Sequence, residues 1–286
     1  MSRSLLPLLI VFSFCSCKQN GHPVAASSQR FSIYSQNVKD SFTIFVALPE
    51  GYSSDKKYPV IYLLDADFYF DVVAPSIRKY TELQALTPSI LVGIGYGNMK
   101  KMDSLRDRDF TYPTALAKYE MSSSGGAAQF LNFITGELIP FVEKNFSAQK
   151  QKRTLAGHSL GGYFTLFALC RHLSGQDSSF SNYIAASPSL DYDNQYILKQ
   201  LHSLPSVAGH DTLNTYVTFG GLEDSEDAED TTAAKCNDLL HSFNTSIARL
   251  NPGSIQNRTD TFGNLGHMET PYPTFMRGLT LFLPGN

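Results

Sequence analysis

Short runs of hydrophobic residues alternate with longer segments of helical spacing along most of this chain. Residues 60–64 and 90–94 are nearly continuous apolar runs, as is typical of strands that are buried on both faces of a sheet. Four later stretches are also predicted to be strands: residues 154–156, 183–187, 215–220 and 254–262.

Two stretches before these strands alternate between hydrophobic and polar positions. The first is RFSIYSQ, residues 30–36, and in the second Phe42, Ile44 and Val46 alternate with their neighbours. Such alternation is typical of antiparallel strands with one side facing solvent. The chain is therefore expected to begin its folded part with an antiparallel hairpin.

Segments with helical spacing lie between the predicted strands, at residues 127–146, 161–172, 192–204, 226–250 and 272–282. Strands and helices in alternating order form parallel sheets that helices cover on both faces. The pattern predicts an α/β fold with a mostly parallel central sheet, an antiparallel N-terminal hairpin and helices on both faces. In such sheets, sites lie at the carboxyl ends of the strands.

The size and charge of the chain restrict its organisation and partners. With 286 residues, of which 42% are hydrophobic, the chain is long enough to bury one large core. We expect residues 30–286 to form a single domain. The formal net charge of −3 offers no excess of positive charge for a polyanion, so nucleic acid is not an expected partner.

The first residues carry the features of an export signal. Arg3 precedes an apolar run from Leu5 to Phe14, which is about half the length that a membrane span needs. We expect residues 1–17 to be a signal peptide and residues 18–29 a polar linker. The sequence FCSC resembles a lipobox in which Cys17 is lipidated. A lipoprotein of the periplasm, outer membrane or cell surface is expected, with a soluble secreted product as the alternative.

The cysteines give no indication of a metal site. Only Cys170 and Cys236 follow the leader, without a C-x-x-C pair or a cluster of cysteine and histidine. The sequence therefore predicts no bound metal.

Residues 157–162, GHSLGG, fit the G-x-S-x-G pattern of a nucleophile elbow. They follow a predicted strand and precede a predicted helix, which is the context that this tight turn requires. Gly157 and Gly161 are small enough for the strand and the helix to pass close together. Ser159 is therefore the candidate nucleophile, because an ordinary glycine-rich turn does not explain why the motif begins where a buried strand ends.

A serine hydroxyl needs a base, and in α/β hydrolases the order along the chain is serine, acid, histidine. Of the seven histidines, only His267 follows the last predicted strand, in a short loop before the final helix. Such a loop brings the imidazole to the carboxyl edge of the sheet. His267 is the candidate base, whereas His158 is interpreted as a packing residue.

The acid is expected where the second-to-last strand ends, in the sequence GGLED. Counting three residues from Gly220 selects Glu223, and counting from Gly221 selects Asp224. Glu223 is the preferred candidate and Asp224 is the alternative acid. The carboxylate that does not orient His267 is expected to be solvated or to cap the next helix.

A tetrahedral intermediate needs amide donors for its negatively charged oxygen. One donor is expected from Leu160, which follows the candidate nucleophile. The other is expected from Asp67 after the third strand, with Phe68 as its neighbour.

Together these segments resemble the putative-esterase family of α/β hydrolases, which includes siderophore trilactone esterases, feruloyl esterases and S-formylglutathione hydrolases. The resemblance rests on LPEGY at 48–52, YPVIYLLDAD at 58–67, GIGY at 93–96, RDRDFT at 106–111, GHSLGG, FGGLED at 219–224 and GH at 266–267. It implies the α/β-hydrolase fold and a serine esterase without a cofactor, in which Ser159 forms an acyl-enzyme. Some siderophore esterases of the family use serine and histidine alone, and Ala66 stands where the family commonly has glycine.

The resemblance favours a small or siderophore-like ester as substrate. The alternatives are a feruloyl or acetyl ester of a carbohydrate, and a non-catalytic binding protein that kept the fold. Arg106 and Arg108 are candidates for binding an anionic substrate, together with Phe68. The preferred alternative is that Arg108 and Asp109 brace a loop, because arginine pairs with carboxylates in structural loops at least as often as in sites.

Overall fold

The computed structural model describes residues 28–121, 123–206, 212–226, 235–250 and 255–285. The predicted signal peptide, its Cys17 and all of the linker except its last two residues lie outside the described residues, so these expectations stay predictions. Within the described ranges, no helix is both long and apolar enough to cross a membrane.

Eight strands form one central sheet: β1 (Gln29–Tyr34), β2 (Ser41–Ala47), β3 (Tyr58–Leu63), β4 (Ile90–Gly95), β5 (Ala148–His158), β6 (Asn182–Ala186), β7 (Leu213–Gly220) and β8 (Ile255–Phe262). They lie in the order β1-β2-β4-β3-β5-β6-β7-β8. The pairs β1–β2 and β2–β4 are antiparallel, and the other pairs are parallel. The predicted fold class, with its antiparallel opening hairpin, is confirmed.

The helices that connect the strands are α1 (Ala66–Glu82), α2 (Met99–Phe110), α3 (Ala127–Phe133), α4 (Ile139–Asn145), α5 (Leu160–Leu173), α6 (Tyr192–Ser203), α7 (Glu223–Glu226), α8 (Cys236–Leu250) and α9 (Pro271–Phe282). A π-helical turn, Ile134–Leu138, joins α3 to α4. The segment predicted as one helix over residues 226–250 contains the end of α7 and all of α8, and residues 227–234 lie outside the described ranges.

Two hydrophobic cores lie on opposite faces of the sheet, because side chains alternate along each strand. In β3, Val60 and Tyr62 belong to the core that α3, α5 and α8 cover. Ile61 and Leu63 belong to the core that α1 and α9 cover. Burial on both faces explains why this run has no charged position.

The sequence pattern predicts no helix at α1 or α2, and the structure corrects this. The buried residues of α1 have helical spacing, but Pro75 interrupts the pattern. α2 is strongly polar, and the large apolar side chains that it buries are Met102 and Phe110. A helix with so few apolar contacts shows no clear amphipathic stripe in its sequence.

Candidate active site

Ser159 lies at the sharp turn between β5 and α5. Its backbone has φ 57° and ψ −121°, a conformation that residues other than glycine rarely adopt. Gly157 permits the turn, because a Cβ atom there would overlap the carbonyl group of Gly161. The amide of Ser159 donates to the carbonyl oxygen of Ala186 in the adjacent strand, at 3.0 Å. The strained turn thus holds the hydroxyl-bearing residue at the carboxyl end of β5.

His267 lies in the turn between β8 and α9, and its Nδ1 is 2.9 Å from Oε2 of Glu223. Glu223 begins α7 directly after β7, and β7 and β8 are parallel neighbours, so both turns lie at the same edge of the sheet. The carboxylate is buried, whereas the imidazole is 36% exposed. A proton on Nδ1 is donated to the carboxylate, which makes Nε2 the basic ring nitrogen.

The second carboxylate oxygen of Glu223 is also satisfied. Oε1 accepts a hydrogen bond from the hydroxyl of Ser187, at 2.6 Å, and another from the amide of Gly220. Ser187 follows β6, the strand next to β7. A buried carboxylate is tolerated only when such donors replace water, so these contacts fix the side chain that faces His267.

Asp224 has a different environment, although it is the next residue. Its Oδ1 accepts the amide of Cys236, the first residue of α8, at 2.9 Å. This contact is a cap on the start of a helix, where a negative charge is favourable. Among the described contacts, the structure brings Glu223 to His267 and places the alternative acid at α8.

The predicted amide donors lie at the beginnings of two adjacent helices. β3 pairs in parallel with β5, with Leu63 opposite Ala156, so Asp67 in α1 and Leu160 in α5 follow neighbouring strand ends. Neither amide donates a hydrogen bond within the described residues. Unpaired amides at helix starts are suited to binding an anionic oxygen.

The side chain of Asp67 holds its own loop in place. It accepts hydrogen bonds from the amides of Tyr96 and Gly97, which follow β4. Ala66, where the resembled family commonly has glycine, is 3% exposed and packs against Gly93 of β4. The methyl group of Ala66 therefore lies toward the sheet.

Arg106 and Arg108 are both engaged in ion pairs within the protein. Arg106 makes two hydrogen bonds to the carboxylate of Asp65, at 2.9 and 3.1 Å. Arg108 makes two hydrogen bonds to Asp109 and a third to Asp40. Burial raises the pKa of Asp65, and the guanidinium of Arg106 acts against that shift. This geometry corresponds to the bracing alternative, and the assignment of the two arginines to substrate binding stays a prediction.

Phe68 differs from the arginines, because it is 41% exposed beside the amide of Asp67. Its ring contacts the ring of Tyr69 edge to face, with centroids 4.9 Å apart. Contact between Phe68 and the substrate stays a prediction.

His158 does more than pack. It is 3% exposed, its Nδ1 lies 2.7 Å from the hydroxyl of Tyr69, and its Nε2 lies 2.9 Å from the carbonyl oxygen of His267. Burial lowers the pKa of His158 to about 3. Sequence reasoning missed these roles of His158, Tyr69 and Ser187, although each lies on or next to a segment with a predicted site residue or strand end.

No group of three or more His, Cys, Asp or Glu residues in the described ranges is arranged to hold a metal ion. The chemistry that this edge of the sheet offers is that of a serine hydroxyl, an imidazole, a carboxylate and two amides.

Comparison with known proteins identifies the family. The profile of the family described as Putative esterase matches residues 35–244. Ferri-bacillibactin esterase BesA of Bacillus subtilis is 31% identical over 246 residues, which cover 82% of each chain. Apo-salmochelin esterase of Escherichia coli is 26% identical over 233 residues, which cover 79% of this chain and 70% of that protein.

Solved structures have the same fold. A crystal structure of the BES protein from Bacillus cereus matches with a TM-score of 0.76 at 24% identity, over 93% of this chain and 98% of that one. Siderophore hydrolase EstB from Aspergillus nidulans matches with a TM-score of 0.72 at 20% identity, over 92% and 98%. These likenesses establish an α/β-hydrolase fold.

The chain therefore belongs to the Putative esterase family of α/β hydrolases. It is a carboxylic ester hydrolase, as the resemblance implied.

Proposed function

We propose that the chain hydrolyses its ester through an acyl-enzyme on Ser159, with His267 as general base and acid and Glu223 as the group that orients it. The amides of Leu160 and Asp67 stabilise the oxyanion. The substrate is a small, siderophore-like ester. No cofactor takes part in these steps.

In the first half of the reaction, His267 Nε2 takes the proton of Ser159 Oγ, and Oγ attacks the carbonyl carbon of the ester. The carbonyl oxygen becomes negatively charged and accepts hydrogen bonds from the amides of Leu160 and Asp67. The intermediate collapses as the C–O bond to the alcohol breaks. The imidazolium gives its proton to the departing alkoxide, so an alcohol leaves and an acyl-serine remains.

In the second half, a water molecule takes the place of the alcohol. His267 removes one of its protons while the oxygen attacks the acyl carbon, and the same two amides hold the oxyanion again. The bond to Ser159 Oγ then breaks, and Oγ recovers the proton from the imidazolium. The carboxylic acid leaves, and the enzyme returns to its starting state.

The observation that carries this proposal is the 2.9 Å contact between His267 Nδ1 and Glu223 Oε2, at the edge of the sheet where the Ser159 turn also lies. A carboxylate on Nδ1 holds the imidazole in the tautomer whose Nε2 accepts a proton. A packing role alone does not require a buried carboxylate with three hydrogen bonds.

Hydrolysis of a short-chain nitrophenyl ester tests the proposed roles. We expect the wild type to turn over the ester and both Ser159→Ala and His267→Ala to lose activity by about 10³-fold or more while staying folded. Ser225→Ala, a hydroxyl deletion on the exposed side of α7, is the matched control and should keep wild-type activity. Turnover by Ser159→Ala at the wild-type rate would overturn the acyl-enzyme.

Two observations support a siderophore-like ester. The similar proteins include a ferri-bacillibactin esterase and an apo-salmochelin esterase by name. In addition, three large apolar side chains are exposed directly beside site residues: Phe68 after Asp67, Leu222 before Glu223 and Met268 after His267. Exposed apolar groups around a polar site are suited to a ligand with aromatic or apolar parts.

A substrate panel tests the choice of ester. It contains a catecholate trilactone, a feruloyl ester and an acetylated xylan. The proposal predicts the highest kcat/KM for the trilactone and a reduced value for Phe68→Ala on that substrate. Activity confined to the feruloyl or acetyl ester would replace the siderophore-like substrate by a carbohydrate ester.

A further inference from the structure

His158 links the segment of the proposed nucleophile to the loop of the proposed base. It directly precedes Ser159, and its Nε2 lies 2.9 Å from the main-chain carbonyl oxygen of His267. The two imidazole rings are 4.6 Å apart between centroids. Because His267 lies in a turn rather than in a helix or strand, its position depends on individual hydrogen bonds such as this one.

The carbonyl oxygen of His267 has a second neighbour, the hydroxyl of Thr270 at 3.0 Å. The same hydroxyl lies 2.6 Å from the hydroxyl of Ser187, which in turn lies 2.6 Å from Oε1 of Glu223. Each hydroxyl has a single proton to donate. The proton of Ser187 goes to the carboxylate, because a charged acceptor makes the stronger hydrogen bond.

The proton of Thr270 has two acceptors within reach, the hydroxyl of Ser187 and the carbonyl oxygen of His267. Whichever it chooses, the carbonyl oxygen has no proton of its own and can accept two hydrogen bonds, so Nε2 of His158, 2.9 Å away, is protonated and donates to it. A neutral imidazole has one donor and one acceptor nitrogen. Nδ1 of His158 is therefore the acceptor, and the hydroxyl of Tyr69 donates to it at 2.7 Å.

We propose that His158 is a positioning residue of the hydrolase: its Nε2–H group holds the main-chain carbonyl of His267, and Tyr69 fixes the tautomer that makes this possible. The role rests on the proposed function of His267. It sets the distance between two segments that are far apart in sequence, the turn at Ser159 and the turn at His267. Burial keeps His158 neutral, because it lowers the pKa to about 3.

Three variants test this role with the nitrophenyl ester as substrate. His158→Met removes the donor, and a misplacement of about 1 Å in a catalytic group can lower the rate about 100-fold. We therefore expect kcat to fall by about that factor while KM stays near the wild-type value. His158→Gln supplies an N–H group at the position of Nε2 and should restore most of the loss. Tyr69→Phe should lower kcat by a smaller factor, because either tautomer then becomes accessible.

His172→Met is the matched control, since His172 also contacts a tyrosine hydroxyl and a main-chain carbonyl but lies at the far end of α5. It should keep the wild-type kcat. If His158→Met keeps the wild-type kcat while His267→Ala is inactive, the positioning role is overturned and the proposed function stands. Activity in His267→Ala would instead overturn the proposed function.

The tautomer provides a readout that does not depend on folding of the variants. Selective ¹⁵N labelling of histidine and long-range proton–nitrogen NMR of the wild type report which ring nitrogen of His158 carries the proton. We expect Nε2 to be protonated in the wild type. A proton on Nδ1 of His158 would overturn the inference, even if His158→Met fails to fold.

Discussion

Glu223 and Asp224 are adjacent in sequence, yet their carboxylates have different partners. Glu223 contacts His267, Ser187 and the amide of Gly220, whereas Asp224 accepts the first amide of α8. The sequence alone does not choose between the two residues. Counting three positions from Gly220 gives Glu223, and counting three positions from Gly221 gives Asp224. The distinction becomes visible only when the turn after β7 is folded against β8.

Turnover separates these two carboxylates. Glu223→Gln should lower kcat by up to about 10⁴-fold, because the amide no longer fixes the imidazole tautomer. Asp224→Asn should keep kcat near the wild-type value and cost at most about 1 kcal/mol of unfolding free energy. The nitrophenyl ester and urea denaturation provide the two measurements. The reverse pattern would make Asp224 the acid, and two active variants would indicate a Ser159–His267 dyad.

His158 also makes the stability of the protein depend on pH. Its pKa is about 3 in the folded state and about 6.5 when unfolded, so below about pH 6.5 only the unfolded state takes up the proton. The contribution of the neutral His158 to the unfolding free energy is fully present above pH 6.5. It is lost as the pH falls toward about 3, by at most about 1.4 kcal/mol per pH unit.

Urea denaturation of the wild type and of His158→Gln, at about pH 7 and about pH 5, measures this contribution. The unfolding free energy of the wild type should fall more on acidification than that of His158→Gln, which lacks the titrating group. An equal fall in the two proteins would contradict a neutral, buried His158.

At the level of elements, the close crossing of β5 and α5 shapes the turn at Ser159. Gly157→Ala should lower the unfolding free energy by about 1–3 kcal/mol, because the added methyl group overlaps the main chain of Gly161. Gly136→Ala is the control: apart from its own helical segment, no atom lies within 4 Å of a Cβ there, and the change should stabilise that segment by about 0.5–1 kcal/mol. Thermal and urea melts measure both variants, and equal unfolding free energies would contradict a close crossing at Gly157.

The strands and most helices follow from the sequence, because their hydrophobic positions recur with the period of the element or form a continuous apolar run. β3 and β4 have apolar residues at every position, and both are buried on both faces. α1 and α2 do not follow from the pattern, because a proline lies inside the first and the second is mostly polar. α2 is nonetheless held in place by the ion pair between Arg106 and Asp65, which no local pattern of residues reveals.

The residues of the candidate site are likewise only partly predictable from the sequence. Ser159 and His267 stand out because a motif and the chain order of strands select them. Ser187, Thr270 and Tyr69 do not stand out, because their partners are distant in sequence. Ser187 contacts Glu223 and Thr270, which are 36 and 83 positions away, and Tyr69 contacts His158, which is 89 positions away. Such contacts depend on which strands become neighbours, and a single sequence does not contain that order.

At the scale of the whole molecule, the amino-terminal sequence bears on where the hydrolase works. We propose that residues 1–17 direct export and that Cys17 carries a lipid, which tethers the protein outside the cytoplasm. Mass spectrometry of the mature protein from its native membranes should find a lipidated terminus at Cys17. An unlipidated, processed terminus would contradict the anchor, and an intact Met1 would contradict export as well.

The proposed machinery is distributed over four strand ends of one sheet. The turns after β3, β5, β7 and β8 contribute the amide of Asp67, Ser159, Glu223 and His267 respectively. Because the proposed mechanism uses all four turns together, we expect the Oγ of Ser159 to be far more nucleophilic than an ordinary serine hydroxyl.

Labelling with a fluorophosphonate tests that expectation most directly, because the reagent traps an activated serine as a covalent adduct. The folded wild type and Ser159→Ala are treated side by side, digested and analysed by mass spectrometry. We expect one adduct, on Ser159 of the wild type, and no adduct in Ser159→Ala. An unlabelled wild type, or equal labelling of both proteins, would contradict the proposed role of Ser159.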